Sequence, residues 1–502
     1  MEEFVEDHHI NAAKKSCIDL SGVNGELGSG MNGDIGTQIQ NIDDAITRIL
    51  AQEAVLRKKR KKLEAQKYEL EQRRNIEEAH ASSKVDWSGR FEWSQSVEGL
   101  MKDVFGISSG FRPNQREAIN ATLSGKDVFV VMRTGGGKSL LYQLPALLPP
   151  PQKQMLTVVV CPLLSLMWDQ AREVCLRRPG GAAFLSAGLD RAEASLIYKQ
   201  MKDLPNSPLR IIFVTPEKVE KSKLFLGVLQ KVYDAGRLAR FVVDEAHCCS
   251  QWGHEYRPDY ARLGRLRALC PAAPLLALTA TASAAVQEDV AGLLRLHPGY
   301  LTFRSGFNRP NLYYEVRPRA DKFDASVEEM AASIQQEFRG QSGIIYLFSQ
   351  KEVDRAVAGL RGGGVRAGAY HAGHEDADKR AVHAAWAEGR LQVVCATIAF
   401  GMGINKADVR FVFHHSMSKS LEHYLQESGR AGRDGAPAVC RLYHRAADTP
   451  RQACQVFYER QGLTNLRQMA AYCRGADIGG CRRAALARAL GERWSPEKEE
   501  EE

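Results

Sequence analysis

FVVDEAHCCSQWGHEYRPDY, residues 241–260, is the stretch whose reading decides the fold. Phe241-Val242-Val243 is a short apolar run of the kind that forms a strand buried on both faces of a parallel sheet. Asp244 and Glu245 then emerge at the carboxyl edge of that strand, which is where α/β folds take their ligands. Two adjacent acids there can divide the work: one would hold a magnesium ion, and the other would orient or deprotonate an attacking water. An Asp-Glu pair by itself is also an ordinary solvated loop. The residues just after the pair narrow the choice. Gln251, Trp252, His254, Tyr256 and Arg257 set an amide, rings and a guanidinium within seven residues, a mixture that stacks on bases and grips phosphates.

Working outward toward the N-terminus, Asp127 to Met132 (DVFVVM) is a second buried-strand run, and it leads into Arg133-Thr134-Gly135-Gly136-Gly137-Lys138-Ser139. A strand, a glycine loop, Lys-Ser and then the apolar helix LLYQLPALL form a phosphate cradle. The glycines let backbone N–H groups close on phosphates, Lys138 reaches the terminal oxygens, and the Ser139 hydroxyl ligates magnesium. Met132 stands where the strict pattern has its first glycine. Further runs keep the rhythm: TVVVC (157–161), IIFV (211–214) and LLAL (275–278), each followed by a helical pattern. Strands alternating with helices predict a doubly wound parallel sheet.

Past Phe307-Asn308-Arg309-Pro310-Asn311 the rhythm restarts with GIIYLFS (343–349), RAGAYHAG (366–373), LQVVCAT (391–397) and VRFVFHH (409–415). The fold class is therefore α/β, with two tandem RecA-like parallel-sheet domains and ATP in the cleft between them. Only the first domain has a Gly-Lys-Ser loop. The second supplies QESGRAGRDG (426–435), in which Arg430 and Arg433 lie three apart and are expected on one helical face, ready to reach the γ-phosphate across the cleft. The same turn could alternatively be a plain surface loop.

The 502 residues allow two or three domains, and 44% hydrophobic with 25% charged residues fits an ordinary globular chain rather than a disordered one. A net charge of +8 favours a polyanionic partner only modestly. Eleven scattered cysteines, with no leader ahead of them, read as reduced thiols, and no apolar run approaches the length of a membrane span. Five segments are expected. Residues 1–40 lack an apolar period and are expected to be unstructured, and 41–82 are expected to form a charged helix. A nucleotide-binding domain spans 87–305, a second α/β domain 306–450, and a helical segment with an acidic tail 451–502. In the charged helix Ile49, Leu56, Leu63 and Leu70 recur every seven residues, while the partner seam Ile46, Glu53, Arg60 and Lys67 is mostly charged. A solvated helix and a self-associating one both remain open. The basic run from Arg57 to Lys62 reads equally as a nuclear address, a nucleic-acid patch or a solvated face.

FRPNQ, TGGGKSLLYQLPAL, DEAHCCSQWGHEYRPDY, LTATA, FNRPNLYYEV, YLFSQKE, AYHAG, ATIAFGMGINKADVRFV and QESGRAGRDG, in this order, resemble the RecQ family of superfamily-two DNA helicases, most closely its short RecQ-like helicase one branch. The resemblance runs from about Trp87 to Arg483. It implies an ATP- and magnesium-dependent 3′-to-5′ helicase that acts on single-stranded and forked or tailed duplex DNA in repair, recombination and replication, within the nucleus. RNA helicases share the motor folds, and a non-catalytic scaffold is the reading from another class. Position by position, the resemblance implies Arg112 and Gln115 at adenine, Lys138 and Ser139 at phosphate and magnesium, and Asp244 and Glu245 as the metal and catalytic acids. His247 and the loop after it would couple DNA to ATP, with Arg430 and Arg433 as finger residues. Arg133 replaces the family's usual proline, an expected surface change. The residues around Ile107 offer no evident aromatic for stacking on adenine, and Asn405 stands where many members have Asp. After the second domain the family carries a four-cysteine zinc module, of which only Cys473 and Cys481 are found. Zinc is therefore not expected, and the last helices are expected to be weakly held.

Overall fold

A computed structural model of the chain describes residues 85–490, apart from 149–153, 187, 252–255, 398–405, 460 and 476–480, and residues 36–63, apart from 38, 54, 57–58 and 61–62. The chain divides into two units, Met1–Glu78 and Ala79–Glu502. In the first, every described residue is helical, beginning at 36, inside the stretch expected to be unstructured. Ile39, Ile42, Ile46 and Ile49 explain the early start, since they already carry the three-four apolar spacing of a helix, and all four are exposed. Most of residues 1–40, and 64–82 of the charged helix, lie outside the described residues.

The second unit holds two parallel sheets. The first contains β1 (Val128–Val131), β2 (Leu156–Val160), β3 (Ala182–Leu185), β4 (Ile211–Val214), β5 (Leu238–Val243), β6 (Leu275–Thr279) and β7 (Leu301–Arg304), in the order β3-β4-β2-β5-β6-β1-β7. The second contains β8 (Leu312–Pro318), β9 (Ser342–Tyr346), β10 (Ala367–Tyr370), β11 (Val393–Ala396), β12 (Val409–His414) and β13 (Ala438–His444), in the order β10-β11-β9-β12-β13-β8. All the ladders are parallel; Val130 lies opposite Leu278, for example, and Val412 opposite Ile344. Helices cover both faces of each sheet. The central strands therefore read as unbroken apolar runs, and VFVV, LTVVV and IIFV are fully buried. β3, β7, β8 and β13 lack that uniform run, which is why the sequence rhythm passed over them.

Strand order decides where the site forms. β5, β6 and β1 are neighbours, so the acids after β5, the threonines ending β6 and the glycine loop after β1 share one carboxyl edge. Only residues 305–311 separate the last strand of the first sheet from the first strand of the second.

The last helices, Gly462–Arg474 and Arg482–Ala489, correct the expectation that they would be loose. Leu466, Met469, Tyr472 and Leu486 are buried against Met417, Leu421, Tyr424 and Leu442 of the second domain. Arg482 lies over the Tyr472 ring at 5.1 Å, and Arg483 donates to the carbonyls of Pro310 (2.9 Å) and Leu312 (3.0 Å). An apolar core of this kind ties both helices to the second domain. Cys473 is part of that core, and burial pushes its thiol up to about 12, while Cys481 caps the final helix.

Candidate nucleotide cleft and its coupling loop

The glycine loop is shaped by the side chain beneath it. Gly137 has φ +89°, and a Cβ there would fall 2.3 Å from Gln115 Nε2, so only glycine lets the turn close. Gln115 donates to the carbonyls of Gly136 (3.2 Å) and Gly137 (3.3 Å) and accepts from the Arg112 amide at 2.8 Å. Its side chain is therefore turned under the loop. The loop carbonyls thereby gain a buried donor. Arg112 does line the cavity, and its guanidinium donates to the Gly135 carbonyl. Met132, where the strict pattern has glycine, is buried, and its carbonyl accepts from Lys138 Nζ at 3.1 Å.

A cavity of about 330 Å³ opens over this loop. Thr134, Gly135, Gly137, Lys138 and Ser139 form its floor, Asp244 and Glu245 one wall, and Gln426, Arg430 and Arg433 from the second domain the facing wall. At the far end Phe105, Ile107, Glu173 and Arg177 close it. Phe105 carries Arg177 over its ring at 4.7 Å and supplies the aromatic surface that the sequence around Ile107 did not reveal. It sits two residues from Ile107, in a turn with no strand or helix pattern to mark it.

Electrostatics divide the cavity. Burial, and then the charge of Glu245, push Asp244 up to about 7, against the pull of Lys138. Asp244 Oδ1 accepts from the Glu245 amide at 3.0 Å, and the Asp244 carbonyl accepts from the Tyr260 hydroxyl at 3.0 Å. A carboxylate so placed suits a divalent cation. Glu245 has φ +50° and ψ +47°, a left-handed conformation unusual for a side-chain-bearing residue. Its Oε2 is buried without a hydrogen bond, and His247 Nδ1 is 3.5 Å away. That nitrogen lies 2.9 Å from Thr279 Oγ1. The Thr279 hydroxyl donates to the Thr281 carbonyl at 3.0 Å, so His247 Nδ1 is the donor in their contact. Thr279, at the end of β6, thus fixes the imidazole that faces Glu245, a contact legible in LTATA only as a motif.

The arginines depart from the expected geometry. The helix Leu421–Ser428 ends before them, and residues 429–434 form a turn, so Arg430 and Arg433 are not stacked on a helical face. Within the turn Gly432 has φ +53°, and a Cβ there would meet Asn311 Nδ2 at 2.6 Å and the Ala436 carbonyl at 2.7 Å. The turn lies directly on the glycine loop. A Cβ on Gly135 would come 3.1 Å from Arg433 Cγ, and one on Gly429 would come 3.3 Å from Thr134 Cβ. Burial, and then the charges of Arg430 and Arg309, lower Arg433 to about 9.

Among the coupling residues, Gln251 and Tyr256 are exposed, whereas Trp252 and His254 lie outside the described residues, as does Asn405. Arg257 closes the loop's return: its amide donates to the Cys248 carbonyl (2.9 Å) and Nη1 to the Pro162 carbonyl (2.9 Å) beyond β2. Arg133 is not a surface residue. It is half-buried and donates to the Asn308 carbonyl, because the linker passes beside the loop. Among the described residues Asp354, His371 and His374 also cluster at metal-ligand spacing. His371 Nδ1 accepts from the Gly373 amide at 3.2 Å, so Nε2 carries its proton toward Asp354, 3.2 Å away, which opposes a metal at that nitrogen.

Comparisons with known proteins agree with this geometry. Residues 112–290 match the DEAD/DEAH box helicase family, and 321–435 match the helicase conserved C-terminal domain. The chain is 44% identical to ATP-dependent DNA helicase Q1 of Rattus norvegicus over 484 residues, covering 95% of this chain and 74% of that protein. It is 47% identical to the helicase Q1 of Pongo abelii over 418 residues, covering 83% of this chain and 63% of that one. For ATP-dependent DNA helicase Q-like 2 of Arabidopsis thaliana the figures are 46% over 414 residues, 82% and 57%. The chain thus spans between about half and three quarters of the length of these relatives. Among solved structures, helicase Lhr of Mycobacterium smegmatis bound to ssDNA and AMP-PNP superposes with a TM-score of 0.56 at 21% identity, over 82% of this chain and 57% of that one. The DUF1998 helicase MrfA bound to DNA gives 0.58 at 17%, over 79% and 54%.

Proposed function

The chain belongs to the RecQ-type ATP-dependent DNA helicases, and from that premise we propose that it hydrolyses ATP in the cleft between its two sheets and uses closure of that cleft to move 3′ to 5′ along single-stranded DNA, unwinding duplex ahead of it. The observation that carries this reading is the meeting, around one cavity, of a glycine cradle with Lys138, the acids Asp244 and Glu245, and two arginines from the other domain. Ground-state binding and transition-state stabilisation then come from opposite walls.

The cradle amides and Lys138 hold the phosphates, with Arg112 and Phe105 beside the base. Ser139 and Asp244 are the residues to hold magnesium, which would offset phosphate charge there. The fit rests on the buried carboxyl of Asp244 at the cavity wall. Glu245, with His247 steadied by Thr279, orients the attacking water and takes its proton at a carboxylate oxygen. Arg430 and Arg433 meet the charge that develops on the transferred phosphoryl group. The loop from Ser250 to Arg257 leaves the chain directly after these acids, so DNA pressing on Trp252 and Arg257 acts on Glu245 and His247 without a distant relay.

The substrates proposed are single-stranded and forked or tailed duplex DNA, with a role in repair, recombination and replication. A nuclear location and self-association through the N-terminal helix are supported by the basic run Arg57 to Lys62 and by the exposed Ile42, Ile46 and Ile49. Zinc has no role in this proposal. The test is ATP turnover with single-stranded DNA, with RNA and with neither, and then unwinding of duplexes tailed at either end. Stimulation by DNA and opening only of 3′-tailed duplex are expected. Stimulation by RNA alone, or turnover indifferent to nucleic acid, would refute the reading.

A further inference from the structure

The linker between the two sheets is bonded, through adjacent residues near its middle, to both domains. On one side the Asn308 carbonyl accepts from Arg133, one residue before the glycine-loop Thr134. On the other, the buried guanidinium of Arg309 reaches into the arginine turn, where Nη1 donates to the Gly429 carbonyl at 2.7 Å and Nη2 to the Gly432 carbonyl. These two carbonyls bracket Arg430 and adjoin Arg433. Asn311 adds bonds from Nδ2 to the carbonyls of Gly432 (2.9 Å) and Ala436 (2.8 Å). The turn needs such an external frame. It lies past the end of its helix, and Gly432 holds a left-handed conformation with no room for a side chain.

We propose that the linker is a tie between the two walls of the cleft and that Arg309 is a positioning residue, which fixes where Arg430 and Arg433 stand relative to the phosphate loop by bridging the Gly429 and Gly432 carbonyls while Arg133 anchors the adjoining residue. The planar fork of Arg309 sets a separate nitrogen at each carbonyl, whereas a lysine ammonium is a single point and cannot place two nitrogens in the same way. The charge of Arg309 is not directed at nucleotide, because both terminal nitrogens are bonded to backbone. Its effect therefore passes through the arginines that do line the cavity. Burial holds its pKa below the ordinary value, with Arg133 and Arg112 adding to the effect, so the guanidinium is kept there by its carbonyl partners. Arg133, where the family usually has proline, gives this chain a linker contact that proline could not donate.

This inference rests on the proposed ATPase and is tested on the full chain with saturating single-stranded DNA. Arg309→Lys is expected to lower kcat about 100-fold, the scale of an ångström-sized misplacement of a catalytic group, while KM and the affinity for a fluorescent ATP analogue change less than about threefold. Asn311→Ala should show the same pattern more weakly and serves as the second variant if Arg309→Lys folds poorly. A double-mutant cycle is decisive: in the Arg430→Ala or Arg433→Ala background, whichever removes the finger, Arg309→Lys should cost less than about threefold further, because its route has already been cut. Three results would overturn the inference while leaving the ATPase standing: wild-type kcat in Arg309→Lys, a loss of kcat matched by an equal loss of nucleotide affinity, or an undiminished loss in both arginine backgrounds. An unmodified chain without DNA-stimulated turnover would instead defeat the proposed function, and this inference with it.

Discussion

The glycine loop of the first domain and the glycine turn of the second face each other across one cavity, and both are built on left-handed glycines at the cleft side of a parallel sheet. They use that freedom differently. In the first, Gly135 and Gly137 bend the backbone around the cavity floor that Lys138 shares, the cradle proposed for phosphate. In the second, Gly432 shapes a turn past the end of a helix that presents Arg430 and Arg433 to the cavity, leaving the backbone carbonyls to Arg309 and Asn311. In the proposed reaction, one wall would hold ground-state charge with fixed dipoles, and the other would set two cations against charge that develops only during reaction. A duplicated fold acquires an asymmetric site by changing what a glycine turn presents.

The comparison breaks most visibly at the second wall. Arg433→Ala is expected to lower kcat by 10³- to 10⁵-fold with nucleotide affinity nearly unchanged, measured by steady-state turnover beside fluorescent-nucleotide titration. A collapse of affinity with residual turnover intact would show that both walls serve binding. On the first wall, Glu245→Gln should reduce turnover by about 10²- to 10⁴-fold and leave DNA binding largely intact by gel shift. Lys138→Ala should also abolish turnover, but by weakening nucleotide binding, which separates cradle from base. A smaller effect probes the support of the second wall: Leu466→Ala, in the core joining the last helices to the helix that precedes the arginine turn, should cost about 2 to 5 kcal/mol in urea unfolding. A value near zero would mean that those helices are ornamental to the domain. The smallest change is at Trp252. Trp252→Ala should lose about 1 to 3 kcal/mol of single-strand affinity at fixed salt and retain basal turnover, yet lose the stimulation by DNA. Normal maximal stimulation at higher DNA concentration would place the coupling elsewhere.

Much of this was legible in the sequence, for reasons that differ by region. VFVV, IIFV and FVVDEAH are buried on both faces, so their composition alone identified strands and edges, and the cradle and acids were then read from the residues next along the chain. β3, β7, β8 and β13 carry mixed burial and escaped the same reading. Arg430 and Arg433 were found by motif but placed on a helix, because spacing cannot reveal that Gly432 is left-handed. Gln115, Arg133, Arg309 and Thr279 act through backbone carbonyls or a neighbouring ring, partners that no local pattern names. The packing of the final helices was invisible for a similar reason. Their apolar positions look ordinary until Tyr424 and Leu442, remote in sequence, are brought against them.

Glu245 leaves one consequence for how this chain can change over generations. A glutamate at φ +50° with a buried carboxylate is disfavoured both by its backbone and by its burial, and a left-handed position of this kind costs roughly 1 to 3 kcal/mol. Glycine at 245 would remove that cost and with it the carboxylate proposed as base. Selection for stability and selection for turnover therefore pull this single position in opposite directions. A library screened only for survival at high temperature should drift to glycine there, while one screened for growth that depends on the enzyme should keep glutamate and accumulate its stabilising changes elsewhere.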